Sequence, residues 1–285
     1  MIGFSFILLS VACSLLIAHF LKVIETRGMD TLHVLTVNYL VAFLTALMVT
    51  YISRVEFLPE FPIWLWGFSA FIGLIFISNF FIFSKSTYQN GIGVSIAAMR
   101  LSLLVPVLLS VLIYHETVTL VRGLGFLLVL VSFGLLIFSR RGVRVGSINS
   151  HWLLIGIFLF TGMADASLKI FEREGLSGGT EFQYLALVFF SALIFGLGAS
   201  AYKGELRFTM DEMKMGVFIG VPNLLTSVFL INALVYADGV FVYPAVNVLI
   251  IIGGALVGKL YWDDKISTLE ASGMAMAILA IMFLL

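Results

Sequence analysis

Hydrophobic residues make up 61% of this 285-residue chain and charged residues 11%, with a mean hydropathy of +1.13. A soluble domain carries roughly a quarter charged residues, so the composition excludes an ordinary soluble domain and fits a chain held mostly in lipid. Formal net charge is zero, and no basic face or arginine-rich tail offers nucleic acid or anionic lipid a partner.

The first twenty residues, MIGFSFILLSVACSLLIAHF, lack the basic leader of a signal peptide, and their apolar run is too long for one. They read as a retained first helix, with Cys13 a small packing residue inside it. A spanning helix needs roughly 20 mostly apolar residues. Ten segments qualify: Gly3–Lys22, His33–Ser53, Pro62–Phe83, Gly91–Tyr114, Thr119–Ser139, His151–Phe171, Glu181–Tyr202, Met213–Tyr236, Gly239–Leu260 and Ser267–Leu285. Short breaks with turn chemistry divide them, such as Arg27-Gly28-Met29-Asp30, Asn90-Gly91, Gly175–Gly179 and Asp238-Gly239. The longest linker, Arg140–Ser150, separates five helices from five.

The two halves look alike. Tyr88–Gly125 reappears 148 residues later, without a gap, as Tyr236–Gly273. Gly91 falls on Gly239, Val94 on Val242, Ala97 on Ala245, Glu116 on Asp264 and Gly125 on Gly273. At an offset of 147, Leu21-Lys22-Val23-Ile24-Glu25 matches Leu168-Lys169-Ile170-Phe171-Glu172. A common register of this kind points to a duplicated half-protein. An odd number of spans per half turns the second half over in the membrane. The result is a pseudo-two-fold axis in the membrane plane and a cavity near the midplane, the arrangement that alternating-access transport uses. The predicted fold class is therefore all-α and integral to the membrane, with residues 1–140 and 151–285 as five-helix repeats and 141–150 as the linker.

With this 5+5 duplication the chain resembles the drug/metabolite transporter superfamily, in its ten-helix EamA-like branch. Two further features carry the resemblance: a lysine near the end of the first helix of each half (Lys22, Lys169), and an acidic step before the last helix of each (His115-Glu116-Thr117-Val118-Thr119 and Asp263-Asp264-Lys265-Ile266-Ser267). The resemblance implies a multi-pass protein of a bacterial or archaeal plasma membrane that moves small metabolites. It also implies close approach of the fourth and ninth helices, which would make Gly254-Ala255-Leu256-Val257-Gly258 a packing surface. Orientation is divided. Eleven basic residues (Lys22, Arg27, Lys85, Arg140, Arg141, Arg144, Lys203, Arg207, Lys214, Lys259, Lys265) lie on one side and four (Arg54, Arg122, Lys169, Arg173) on the other. That bias puts both termini outside; the resemblance implies termini inside.

A charge within a bilayer costs several kcal/mol unless it is paired or hydrated. Arg100 lies inside the fourth helix, Asp165 inside the sixth, and Lys169 follows Asp165 at i+4 on the same face. In one reading Arg100 clamps a carboxylate and Asp165 responds to a proton or cation. In the other, an Arg100–Asp165 or Asp165–Lys169 pair locks helices together. Asn79, Asn223, Ser227, Asn232 and Asn247 are further cavity candidates, with helix-to-helix hydrogen bonding as their alternative use. Asn247 stands opposite Met99 in the repeat register, beside the position matching Arg100. Tyr88 and Tyr236 occupy equivalent helix ends, as gates or as interface markers. Trp64, Trp66, Trp152 and Trp262 sit near helix ends, as an interfacial belt places them. Pro106, Pro222 and Pro244 mark bends or static kinks.

Rival classes find little footing. Gly175-Leu176-Ser177-Gly178-Gly179 matches G-x-S-x-G, but in a turn and without a histidine beside it. His19, His33, His115 and His151 lack helical metal-ligand spacing, and no Walker-type phosphate loop occurs. The expectation is a transporter without a cofactor, monomeric or weakly homodimeric, whose partners are the bilayer and a small-molecule substrate. Amino acids or related carboxylates are favoured by the central arginine, with lipophilic cations as the alternative cargo. Proton coupling through Asp165 and facilitated diffusion both remain open.

Overall fold

Lipid offers no partner to a backbone N–H or C=O, so long apolar segments close their own hydrogen bonds as helices. The computed structural model describes residues 2–56, 60–139, 150–176, 179–262 and 267–284, and helix is its regular structure, with no strand among those residues. The helices are α1 (Ile2–Thr26), α2 (Thr31–Ile52), α3 (Ile63–Asn90), α4 (Ile92–Leu101), α5 (Leu104–Leu112) and α6 (Leu120–Ser139). They continue with α7 (His151–Phe171), α8 (Glu181–Tyr202), α9 (Met210–Tyr236), α10 (Gly239–Tyr261) and α11 (Thr268–Leu284). Among the described residues, eight spans are long and apolar enough to cross a membrane, with α4 and α5 together forming one of them. Two shorter apolar helices, Leu120–Leu136 and Thr268–Leu284, accompany them. The protein is thus an all-helical, multi-pass integral membrane protein.

Helix ends follow local chemistry. Asp30 caps α2, its Oδ1 accepting the N–H groups of Leu32 at 2.7 Å and His33 at 3.3 Å. Thr209 and Glu212 form a reciprocal capping box at the start of α9, and Ser267 and Glu270 form another at the start of α11. Gly91, between α3 and α4, has φ +84, a conformation that a side chain would strain. The G-x-S-x-G turn includes Ser177 and Gly178, and the second acidic step includes Asp263 to Ile266. Both stretches lie outside the described residues, as does the linker over 140–149.

One expected helix is broken. The segment read as a single span over Gly91–Tyr114 divides at Ser102-Leu103, between α4 and α5. Pro106 lacks the N–H that would bond the Ser102 carbonyl, and its ring crowds that oxygen. The Ser102 carbonyl instead accepts Val105 N–H at 2.9 Å, a tighter turn than the α-helix. Pro222 and Pro244, by contrast, lie inside the unbroken α9 and α10. At the end of α7 the chain widens into one π-turn, Glu172–Leu176, that the sequence did not signal.

Two compact units make up the chain, one from residues 1–3, 78–169 and 236–285, the other from 4–77 and 170–235. Each draws on both halves of the sequence. In the first unit, α6 and α11 pack closely: a Cβ on Gly125 would meet Phe283 Cβ at 2.9 Å, and one on Gly273 would meet Leu136 Cγ at 2.8 Å. Ser132 Oγ donates to the Gly273 carbonyl at 2.8 Å across the same contact. In the second unit, α2 and α8 join through rings: Phe43 lies 5.1 Å from Phe190, and Tyr39 lies 6.2 Å from Phe189. Ile24, Val34 and Ile219 form a buried cluster there with Phe20, Leu21 and Met215.

Because the α6–α11 contact has no room for a side chain at Gly273, Gly273→Val is expected to cost about 1–3 kcal/mol. Thermal unfolding of the detergent-purified protein measures it as a lowered Tm. An unchanged Tm would mean that these helices do not pack this closely.

Candidate functional site

Thr161, Asp165 and Lys169 succeed one another at i, i+4 and i+8, so they share one face of α7. Each meets a different neighbour within the first unit. Asn79 Nδ2 of α3 donates to Thr161 Oγ1 at 3.0 Å, and Tyr243 Oη of α10 donates to the Asp165 backbone carbonyl at 3.0 Å. Lys169 Nζ lies 2.8 Å from Glu116 Oε1, in the segment joining α5 to α6.

Arg100 stands in the last turn of α4, just before the break that Pro106 enforces. Its Nη1 donates to Asn247 Oδ1 at 3.2 Å. Asn247 is oriented for this by its own helix, since its Nδ2 donates back to the Tyr243 carbonyl at 3.1 Å. α10 therefore holds two members of the site, Tyr243 towards α7 and Asn247 towards α4. Arg100 is half-buried, and its charge acts on the half-buried Asp165. The Asp165 carboxylate itself makes no hydrogen bond or ion pair among the described residues. Neither pairing envisaged for locking helices, Arg100–Asp165 or Asp165–Lys169, forms as an ion pair.

Lys169 has a different partner. It is fully buried, and Glu116 is 7% exposed, so the pair lies out of water. Glu116 also accepts the N–H groups of Gly239 and of Val240, the latter at 3.1 Å, and so caps α10. Burial pushes the Glu116 carboxyl up. The Lys169 hydrogen bond, the two backbone N–H groups and the Lys169 charge together outweigh that and hold it below the usual carboxylate range. One carboxylate thereby ties α7 to the start of α10, the helix that positions Asn247 and Tyr243.

The remaining candidates sit elsewhere. Asn223, Ser227 and Asn232 belong to α9 in the second unit. Asn223 Nδ2 donates to Asn38 Oδ1 at 3.1 Å, joining α9 to α2. Ser227 Oγ bonds the Asn223 carbonyl at 3.4 Å, and Asn232 Nδ2 bonds the Val228 carbonyl at 2.9 Å. Tyr88 is 92% exposed and Tyr236 57%, so neither is packed as a closed gate.

Sequence reasoning missed Thr161 and Tyr243, although each lies one helical turn before a residue it did single out, Asp165 and Asn247. It also set His33 aside. In the second unit, ligand atoms of Asp30, His33 and Glu205 lie within 4.8 Å of one another. The His33 ring is engaged on both sides, Nδ1 with Glu212 Oε2 at 3.2 Å and Nε2 with the Glu205 carbonyl at 2.8 Å. Its geometry is that of a latch between α2, α9 and the segment before α9. Helical ligand spacing reports on one helix at a time, so a group drawn from three segments escapes it.

No protein-family model matches the chain. It is 27% identical to an uncharacterized protein of Haemophilus influenzae, over 96% of this chain and 95% of the relative. A solved crystal structure matches with a TM-score of 0.74, covering 99% of this chain and 95% of the other at 13% identity. Likeness at that identity speaks for the fold alone.

Removing one member of a buried ion pair strands the other. Lys169→Met is therefore expected to cost about 3–5 kcal/mol, with much of the loss recovered in Lys169→Met/Glu116→Gln, as read by thermal unfolding. The pH dependence has a definite sign. The folded Glu116 carboxyl titrates below its ordinary value of 4.5, so its stabilisation is complete above that value and lost as pH falls through the folded one. Glu116→Gln should accordingly flatten the fall of Tm in acid; an unaltered acid limb would remove Glu116 from the account.

Proposed function

We propose that this protein is a secondary-active transporter of EamA-like type that exports small polar metabolites, amino acids or related carboxylates first among them, by alternating access. The carrying observation is a guanidinium, Arg100, set at a helix break within a membrane span and held by the neutral amide of Asn247. A cation at that depth is a strong mark of a substrate path, and a guanidinium suits a carboxylate through two parallel hydrogen bonds.

Reciprocal contacts support the ten-helix inverted repeat on which alternating access depends. Gly125 and Gly273 are 148 residues apart, as are Leu135 and Phe283 and also Leu136 and Leu284. Gly125 faces Phe283 and Leu284, and Gly273 faces Leu135 and Leu136, so the contact maps onto itself when the halves are exchanged. Phe43 packs on Phe190, its own equivalent at offset 147. The Asn79–Thr161 bond has a counterpart, within one residue of register, in the 2.8 Å bond between Thr226 and Ser14. A two-fold relation produces such pairs.

The compartment, a bacterial or archaeal plasma membrane, and the outward direction come from the family resemblance; gradients, not fold, set direction. A second reading, extrusion of lipophilic cations, is favoured by the Asp165 carboxylate, which has no hydrogen-bond partner among the described residues. Thermal unfolding against amino acids, organic acids, sugars, nucleosides and lipophilic cations tests both on the wild type and Arg100→Ala. A ligand at a hundred-fold excess over its Kd adds about 2.7 kcal/mol of stability. A carboxylate-bearing class is expected to stabilise the wild type and not the variant. Cations stabilising both proteins alike would transfer the assignment to drug extrusion.

A further inference from the structure

His33 holds two bonds that a neutral imidazole cannot make together. Its Nδ1 lies 3.2 Å from Glu212 Oε2, and its Nε2 lies 2.8 Å from the Glu205 carbonyl oxygen. Both neighbours are acceptors. A neutral ring carries one N–H and would set the lone pair of its other nitrogen against an oxygen, whereas an imidazolium donates from both sides. Glu212 is already employed as a carboxylate: Oε1 accepts the Asp30 N–H at 3.1 Å and Oε2 the Thr209 N–H at 2.8 Å. It also stands in the first turn of α9, where the helix terminus favours an anion. The proton shared by the pair therefore belongs to the ring. His33 and Glu212 are both buried, so water does not stand in for a missing bond.

The surroundings suit that charge. Carboxylate oxygens of Asp30 and Glu205 lie within 4.8 Å of a His33 ring nitrogen. The Phe208 ring centroid is 4.5 Å from that of His33, within reach of a cation–π contact. The basic residues of the same segments, Arg27, Lys203, Arg207 and Lys214, are exposed, with Lys214 beside Asp211 at 3.7 Å. With both nitrogens donating, the ring has no lone pair for a metal, so the trio of Asp30, His33 and Glu205 does not ligate one in this form.

We infer that the His33 imidazolium is a proton-operated latch: it fastens the start of α9 and the segment before it to the start of α2, and it opens when rising pH removes the second ring proton. The inference concerns the second unit alone and does not rest on the transport reading. A neutral ring keeps one N–H, and the Glu212 carboxylate holds it more strongly than a carbonyl can. The Glu205 carbonyl is then left without its donor, and the exposed segment 203–209 loses its tie to α2. Histidine is the side chain that ordinarily changes charge between pH 5 and 8, while carboxylates titrate well below that window. The latch therefore contributes stability in mild acid and loses it as pH rises through the titration of the ring.

The test is hydrogen exchange on the full-length protein in detergent from about pH 6 to about pH 9, corrected for the intrinsic pH dependence of exchange. Ring nitrogen NMR shifts of histidine-labelled protein are read alongside, on the ring in contact with Phe208. Amides of residues 203–212 are expected to lose about ten-fold in protection over this range, while α6 and α11 of the first unit do not. That loss should follow the conversion of the ring from two protonated nitrogens to one. In His33→Gln, protection over 203–212 should be low throughout and no longer change with pH. Protection that stays constant while the ring titrates overturns the latch, as does a ring that keeps one protonation state across the range. So does protection in mild acid that EDTA abolishes, since a metal would then be closing the cluster. The wild-type pH series carries the test by itself, so poor folding of His33→Gln leaves it intact.

Discussion

The buried pairing of Lys169 with Glu116 fixes the geometry of the first unit. Glu116 lies outside the helices in sequence, yet it receives Lys169 from α7 and two N–H groups from the start of α10. A helix N-terminus carries roughly half a positive charge, so the carboxylate is answered by both a full and a partial cation. Desolvation makes an ion pair of this kind an uncertain source of net stability. Its value here is positional. It sets where α10 begins, and from that start follow Tyr243 against the Asp165 carbonyl and Asn247 against Arg100.

The same constraint, that lipid answers no polar group, accounts for several polar contacts of the second unit, although Asn38 Nδ2 and Ser200 Oγ are buried there without a hydrogen-bond partner among the described residues. Ser10 and Ser14 of α1 meet Thr226 of α9 at 3.1 and 2.8 Å, and Asn223 meets Asn38 one turn away. Ser227 and Asn232 turn back to their own helix. These are the bonds expected where helices associate in a membrane, with small and amide side chains joining faces that leucine could not. Polar residues in spans thus divide into those the fold answers and those it leaves open. The Asp165 carboxylate, with no hydrogen bond among the described residues, is in the second group, in contrast to Asn223.

Much of this was legible in the sequence because it is written locally. Runs of twenty apolar residues announce the helices, Asn90-Gly91 announces a turn, and the i+4 step from Asp165 to Lys169 announces a shared face. Partners across the fold are a different matter. Nothing near Lys169 names Glu116, and the acidic step that contains Glu116 reads equally well as a solvated turn. Pro106 was visible, but whether a proline bends or breaks a helix depends on what packs against it. Pro106 interrupts its helix where Pro222 and Pro244 do not. Arg100 with Asn247 was half legible, because the repeat register had set them at neighbouring positions. His33 was lost through a rule that searches along one helix.

On the proposed duplication, the features the fold needs appear twice. Lys22 stands where Lys169 does, Gly125 where Gly273 does and Ser14 where Thr161 does, at offsets of 147 or 148. Arg100 and Asp165 do not follow this rule. At the same offsets, Arg100 corresponds to Val248 and Asp165 to Ala18. A charge required to assemble a five-helix repeat should be required in both copies, since each repeat faces the same packing problem. The copy that carries valine and alanine packs these positions without either charge. On that reading Arg100 and Asp165 have no charged counterpart in the other copy, and both occur in the same compact unit. Charged groups are costly in lipid, so two charges present in one copy alone are what the transport reading proposed above would put to use.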